Sequence, residues 1–184
     1  GEISEARIDE AVLRILKVKF ESGLMQRGLP STEGRPLRSQ VGSQEHRDLA
    51  RDAVRRSLVL LKNDDQMLPL DPAGRYLVVG EGADNIGMQS GGWTISWQGT
   101  GNANSDFPTG TSLLDGFAEQ VAKAGGKVYH GEPVPEGIEV DAVIAVYGET
   151  PYAETQGDIT SLAWQQPNFE DLALLNQYQD LPIV

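Results

Sequence analysis

Asp141-Ala-Val-Ile-Ala-Val-Tyr147 is a continuous apolar, β-branched run without polar alternation. Strands that read this way are buried on both faces and belong to parallel sheets covered by helices. Tyr76-Leu-Val-Val79 and Lys127-Val-Tyr-His130 are shorter runs of the same kind, and Pro182-Ile-Val184 begins another. Helical periods separate them. Leu113, Leu114, Phe117 and Val121 share one face of a helix expected from Ser112 to Ala124, ended by Gly125-Gly126. Leu172, Leu174 and Leu175 mark another over residues 169–178. The order strand, helix, strand, strand, helix, strand predicts an α/β fold: a mostly parallel sheet flanked by helices, a three-layer sandwich. If the strands run two-one-three, as in flavodoxin-like sheets, the first and third are neighbours. The loops leaving their carboxyl ends then share the crevice where open α/β sheets bind ligands.

Those two loops are the longest in the chain. Residues 80–110 run without a helix or strand period, too long for an ordinary connection. Two of the chain's three tryptophans, Trp93 and Trp97, lie in this loop with Ile86, Ile95 and Met88, which argues against disorder. Exposed indole faces beside Gln, Asn and Asp suit a sugar or another flat ligand; a folded-down structural loop is the other reading. Residues 148–168 carry Glu149, Glu154 and Asp158 with Pro151 and Tyr152. A carboxyl against an apolar wall suits general-acid work. Beside paired tryptophans that chemistry points to glycosides, whose hydrolysis needs two carboxyls. A solvated acidic loop is the alternative.

Upstream, Ile8, Val12, Ile15, Leu16 and Phe20 predict a helix from Ser4 to about Gly23, with Ser4 as N-cap and Gly23 at C′. Gly28, Pro30, Ser31, Thr32, Gly34 and Pro36 give the next segment linker composition. A second helix starts at the N-cap Ser43, and the apolar run Leu58-Val-Leu-Leu61 predicts that its end is buried. The first helix has no local surface to cover, which suggests that it belongs to some other body. The first residues read like the middle of a protein and the last like a strand cut off as it begins, so a fragment truncated at the C-terminus is expected.

Other chemistries fit poorly. A net charge of −12 argues against nucleic acid and against anionic membrane surfaces. Without cysteine there is neither a disulfide framework nor a thiolate metal site, and His46 and His130 alone make a histidine metal site untenable. Gly80-Glu-Gly82 after a strand invites a dinucleotide-binding reading, but the third glycine of that motif falls at Asn85 and no helix is expected to open there. Met88 breaks a nucleophile elbow around Ser90. No cofactor is expected.

Four segments carry a family likeness: Arg14-Ile-Leu-Lys-Val-Lys-Phe20; His46-Arg through Leu70, with Ser57-Leu-Val-Leu-Leu-Lys-Asn63; Ala83-Asp-Asn-Ile-Gly with Gly91-Gly-Trp-Thr-Ile-Ser-Trp-Gln-Gly99; and Val146-Tyr-Gly-Glu-Thr-Pro-Tyr-Ala-Glu154 with Gly157-Asp158. Together they resemble the glycoside hydrolase family 3 β-glucosidases and exo-β-glucanases, and the last two resemble the exo-glucanase branch. The resemblance implies a retaining double displacement on β-glucans and β-oligoglucosides that releases glucose. It implies Glu154 as acid/base, with Glu149 as rival because branches with a shorter loop place the acid nearer the Gly-Glu pair. Trp97 is implied to clamp the sugar beyond the scissile bond, with Trp93 as its supporting or subsite neighbour in substrate binding. The nucleophile is implied to be an aspartate of a preceding (β/α)8 barrel. On that likeness residues 1–24 are a barrel helix, 25–42 an interdomain linker and 43–184 an incomplete α/β sandwich. The chain alone is then expected to be inactive, and its parent to be secreted, periplasmic or extracellular. A non-catalytic carbohydrate-binding or structural sandwich remains the alternative, and a nucleotide-binding module a weaker one.

Overall fold

The run at Tyr76 becomes the central strand of a parallel sheet, buried at every residue after Arg75. In chain order the elements are α1 (Glu5–Glu21), α2 (Gln44–Ser57), β1 (Arg75–Val79), α3 (Ile86–Ser90), α4 (Leu113–Lys123), β2 (Lys127–Tyr129), β3 (Ala142–Ala145) and α5 (Phe169–Gln177). The computed structural model describes residues 2–28, 38–131, 133–163 and 169–184. Residues 29–37 of the expected linker and 164–168 of the expected second loop lie outside the described residues. The chain divides into two units, Gly1–Leu61 and Lys62–Val184.

In the second unit the strand order is β2-β1-β3, all parallel, as expected of the two-one-three arrangement. Leu77 stands opposite Tyr129 on one side and Val143 on the other. Ile183 bridges Val143 in parallel, and Val143 N donates to Pro182 O at 2.9 Å, so the terminal segment extends the sheet beyond β3. Alternation along β1 divides its side chains between two faces. Tyr76 packs with Ala142 and Ile144 under Val121 and Phe117 of α4. Leu77, Val79 and Val143 pack under Leu174 and Leu175 of α5. Helix, sheet and helix thus form the three layers. Ser112 caps α4, its Oγ accepting from Asp115 N at 3.1 Å, and Leu114 N donates to Ala83 O at 2.8 Å. The second of these contacts fastens α4 to the loop leaving β1.

In the first unit α1 starts at Ser4, whose Oγ accepts from Arg7 N. It ends in a Schellman arrangement: Gly23 has φ 72, Gly23 N donates to Phe20 O, and Leu24 N donates to Lys19 O. Ser43 caps α2 through His46 N.

Two expectations are corrected. The end of α2 is not buried: the helix stops at Ser57, Leu58 turns to extended backbone, and the four residues 58–61 are 64–91% exposed in this chain. An apolar run marks a surface to be covered, and among the described residues of this unit none covers it. A helix does open after Asn85, but it is the five-residue α3. Asn85 caps Met88 N with its own Oδ1 at 2.9 Å and Asn104 Oδ1 takes Ile86 N at 2.8 Å, so these amides are already occupied.

Candidate active site

Gly80 turns the chain off β1 with φ 98, where a Cβ would lie 2.1 Å from the carbonyl oxygen of Val146. Only glycine fits so close to the strand leaving β3. From there the two long loops run side by side. The first is folded rather than loose. Asn104 Nδ2 donates to Asp84 Oδ1 at 2.9 Å, while the Gln89 side chain accepts from Leu113 N at 3.1 Å and Asp106 accepts from Ala103 N at 2.9 Å.

At the tip, Trp93 N donates to Trp97 O at 3.0 Å and closes a tight loop. Asn102 Nδ2 donates to Thr94 O at 2.9 Å and Gly99 O at 3.1 Å from beneath. Trp93 and Ile95 sit at φ 64 and φ 61, a region L-residues rarely enter, least of all a β-branched one. Such outliers persist where surrounding structure enforces them, and they gather at binding sites. Both indoles on this tip are open to solvent, Trp93 69% and Trp97 56% exposed.

The second loop meets the first backbone to backbone. A Cβ on Gly92 would stand 2.2 Å from Tyr152 O. Trp97 Nε1 donates to Glu154 Oε2 at 2.6 Å. The neighbouring Gln98 amide donates to Glu154 O at 3.0 Å and accepts from Ala153 N at 2.7 Å. Thr155, next to Glu154, has φ 72. Tyr152 lies over Gly157 and donates its hydroxyl to Glu149 Oε2 at 2.7 Å. That hydrogen bond, and then the Glu149 charge, raises the Tyr152 phenol above its ordinary value of 10.0.

Residues 58–179 match the description "Glycosyl hydrolase family 3 C-terminal domain". This chain belongs to that family. A lysosomal β-glucosidase of Dictyostelium discoideum is 32% identical over 98% of the chain, which spans 24% of that protein. A periplasmic β-glucosidase of Salmonella typhimurium is 36% identical over 52% of the chain and 13% of its own length. A solved variant of exo-1,3/1,4-β-glucanase (ExoP) from a Pseudoalteromonas species is 46% identical with a TM-score of 0.83, covering 99% of this chain and 30% of that one. The chain therefore spans between about an eighth and a third of these relatives.

Within this family 3 domain, Trp97 and Glu154, picked out in the sequence on separate loops, are in direct hydrogen-bond contact. Trp93 stands on the same tip, open to solvent. Glu149 lies on the Glu154 loop but faces Tyr152. Gln98 and Gly92, which hold the loops together, escape sequence reasoning: a lone glutamine and one glycine among many carry no chemical signature. A cavity of about 560 Å³ lies elsewhere, above β1 and β2, lined by Glu81, Asp84, His130 and Tyr178 but not by Trp97 or Glu154. Among the described residues no cluster of His, Cys, Asp and Glu could hold a metal ion, and no helix is long and apolar enough to cross a membrane.

Proposed function

We propose that this domain bears the acid/base of a retaining, exo-acting β-glucan glucohydrolase or β-glucosidase. Glu154 protonates the glycosidic oxygen as the bond to the anomeric carbon breaks and an aspartate of a preceding (β/α)8 barrel attacks that carbon. In the second step the Glu154 carboxylate takes a proton from water, which displaces the aspartate and frees glucose. In retaining glycosidases the two carboxyls work about 5–5.5 Å apart, so the aspartate must be brought up by a domain outside this chain.

The observation that carries the reading is the contact of the Trp97 indole with Glu154. Indole N–H is a donor only, so it fixes Oε2 and orients the carboxyl. Oε1 takes no hydrogen bond from the described residues and is left for the leaving oxygen. The Trp97 face, still open to solvent, stacks on the sugar at the leaving-group side, with Trp93 beside it. Glu149, which accepts from Tyr152, serves as a neighbour rather than as the acid. On this reading residues 1–24 complete the barrel, 25–42 link it, and 43–184 belong to the sandwich. The parent acts outside the cytoplasm, as the lysosomal and periplasmic names of two relatives suggest.

The test is Glu154→Gln in the full-length enzyme, with Glu149→Gln as control. General acid–base catalysis contributes about 10²–10⁴-fold. E154Q should lose a factor of that order on unactivated β-glucosides, and azide should restore turnover of an activated aryl glucoside. E149Q should stay within about tenfold of wild type by the same scale. Full activity of E154Q, or a larger loss in E149Q, removes the assignment.

A further inference from the structure

We propose that Gln98 is the positioning residue for this acid/base, an inference that rests on the reading of Glu154 above. Its single planar amide spans two backbone groups of the opposite loop, Nε2 to Glu154 O at 3.0 Å and Oε1 from Ala153 N at 2.7 Å. The amide cannot be reversed, because Ala153 N–H requires an acceptor and Glu154 O a donor. Trp97, one residue earlier, holds the Glu154 carboxylate. Consecutive residues of one loop thus grip the same glutamate at its main chain and at its reacting end.

The grip has a firm base. Gly99, with φ 74, is buried where a Cβ would lie 2.3 Å from Gly91 O, and its N–H is held by Ser96 Oγ at 3.1 Å. Gln98 therefore projects from a turn that has no room to shift.

The loop it grips needs an outside anchor. Residues 153–158 form a turn held by short-range bonds, Gly157 N to Ala153 O at 2.9 Å and Asp158 N to Thr155 O at 3.2 Å, with Thr155 at φ 72. A β-branched residue in the left-handed region pulls toward other conformations. Each of these would swing the Glu154 Cα and carry the carboxyl off the leaving oxygen. The Gln98 amide opposes that swing at the carbonyl of Glu154 itself and at the N–H of Ala153, the residue before it. A displacement of about 1 Å from productive geometry can cost about 10²-fold in rate. The expected role is thus on the proton-transfer step and not on sugar affinity.

Leaving-group dependence separates this role from mere stabilisation. In the full-length enzyme, kcat/KM is measured for 2,4-dinitrophenyl β-glucoside, whose leaving group needs no proton, and for methyl β-glucoside, whose leaving group does. Q98A should raise the ratio of the first to the second by about 10²-fold, as expected for a misplaced general acid. Q98E keeps an acceptor for Ala153 N but loses the donor to Glu154 O. It should move the ratio the same way by a smaller factor, and it answers the question if Q98A does not fold. A purely structural loss lowers both substrates together and leaves the ratio unchanged. E154Q is run in parallel. An unchanged ratio in the glutamine variants beside a raised one in E154Q overturns the role of Gln98 and leaves Glu154 standing. An unchanged ratio in E154Q overturns both.

Discussion

The two loops are legible in the sequence because they are too long to be plain connections and carry paired tryptophans and several carboxyls; Glu154 and Trp97 are singled out within them by the family resemblance. Their contact follows from topology, since strand order two-one-three brings the loops after β1 and β3 to one crevice. The Gln98 grip is not legible, because whether a glutamine reaches across a loop depends on a turn built by Ser96, Gly99 and Asn102 together. Single residues also set how the fold answers pH. Tyr76 is buried at 2% exposure, its ring edge-on to Phe117 at 5.3 Å, and its hydroxyl donates to the Asp71 carbonyl. Burial first, then the charges of Asp141 and Asp71, raise its phenol above 10.0. The unfolded chain therefore releases this proton at lower pH than the folded one. The stability it contributes is complete below pH 10 or so, and is lost as pH rises through the folded value. The urea midpoint should fall more steeply between about pH 9 and pH 11 in wild type than in Y76F. At neutral pH Y76F should cost about 1 kcal/mol for the lost hydrogen bond. Parallel pH slopes would show that Tyr76 is not the group responsible.

At the scale of elements, the strands and the longer helices follow from period and capping. β1, β2, β3, α1, α4 and α5 lie within or close to the expected spans, because each has a long enough stripe or a clear cap. α3 has neither. It is one turn made by Asn85 and Asn104 side chains, and a five-residue helix shows no period. The run Leu58 to Leu61 misleads for the opposite reason: apolar residues show that a surface wants a partner, not where the partner is. The two site loops are joined by close approach as much as by hydrogen bonds. Gly92 leaves no space for a methyl group against Tyr152 O. G92A should push the Glu154 loop away from Trp97 and cost about 1–3 kcal/mol, as other overpacked contacts do. Chemical denaturation gives the stability change. In the full-length enzyme the same variant should lower turnover on methyl β-glucoside more than on the dinitrophenyl substrate. Stability and both rates at wild-type level would show that the loops do not depend on this contact.

At the scale of the molecule, the two units differ in what they bury. Lys62–Val184 has its own core around Leu77, Val79, Val143, Tyr76 and Ala142. Gly1–Leu61 has no buried residue in α1 or α2, and Ile8, Val12, Ile15 and Phe20 of α1 are 47–57% exposed. Exposed apolar stripes of this length mark surfaces that bind other protein. The matched relatives run well beyond the aligned part, since 99% of this chain covers only 30% of the ExoP structure. Both facts support the proposal that α1 is completed by a barrel domain. A helix that buries nothing opens at little free-energy cost, and proteases report that opening. In the 184-residue chain alone, trypsin should therefore cut within Gly1–Leu61 well before it cuts the sheet of Lys62–Val184. In the full-length enzyme the α1 sites should be protected by about tenfold or more, the factor that about 1.4 kcal/mol of docking energy supplies. Equal cleavage rates at α1 in the two forms would mean that its apolar stripe is bare in both, and the barrel assignment of residues 1–24 would fall with it.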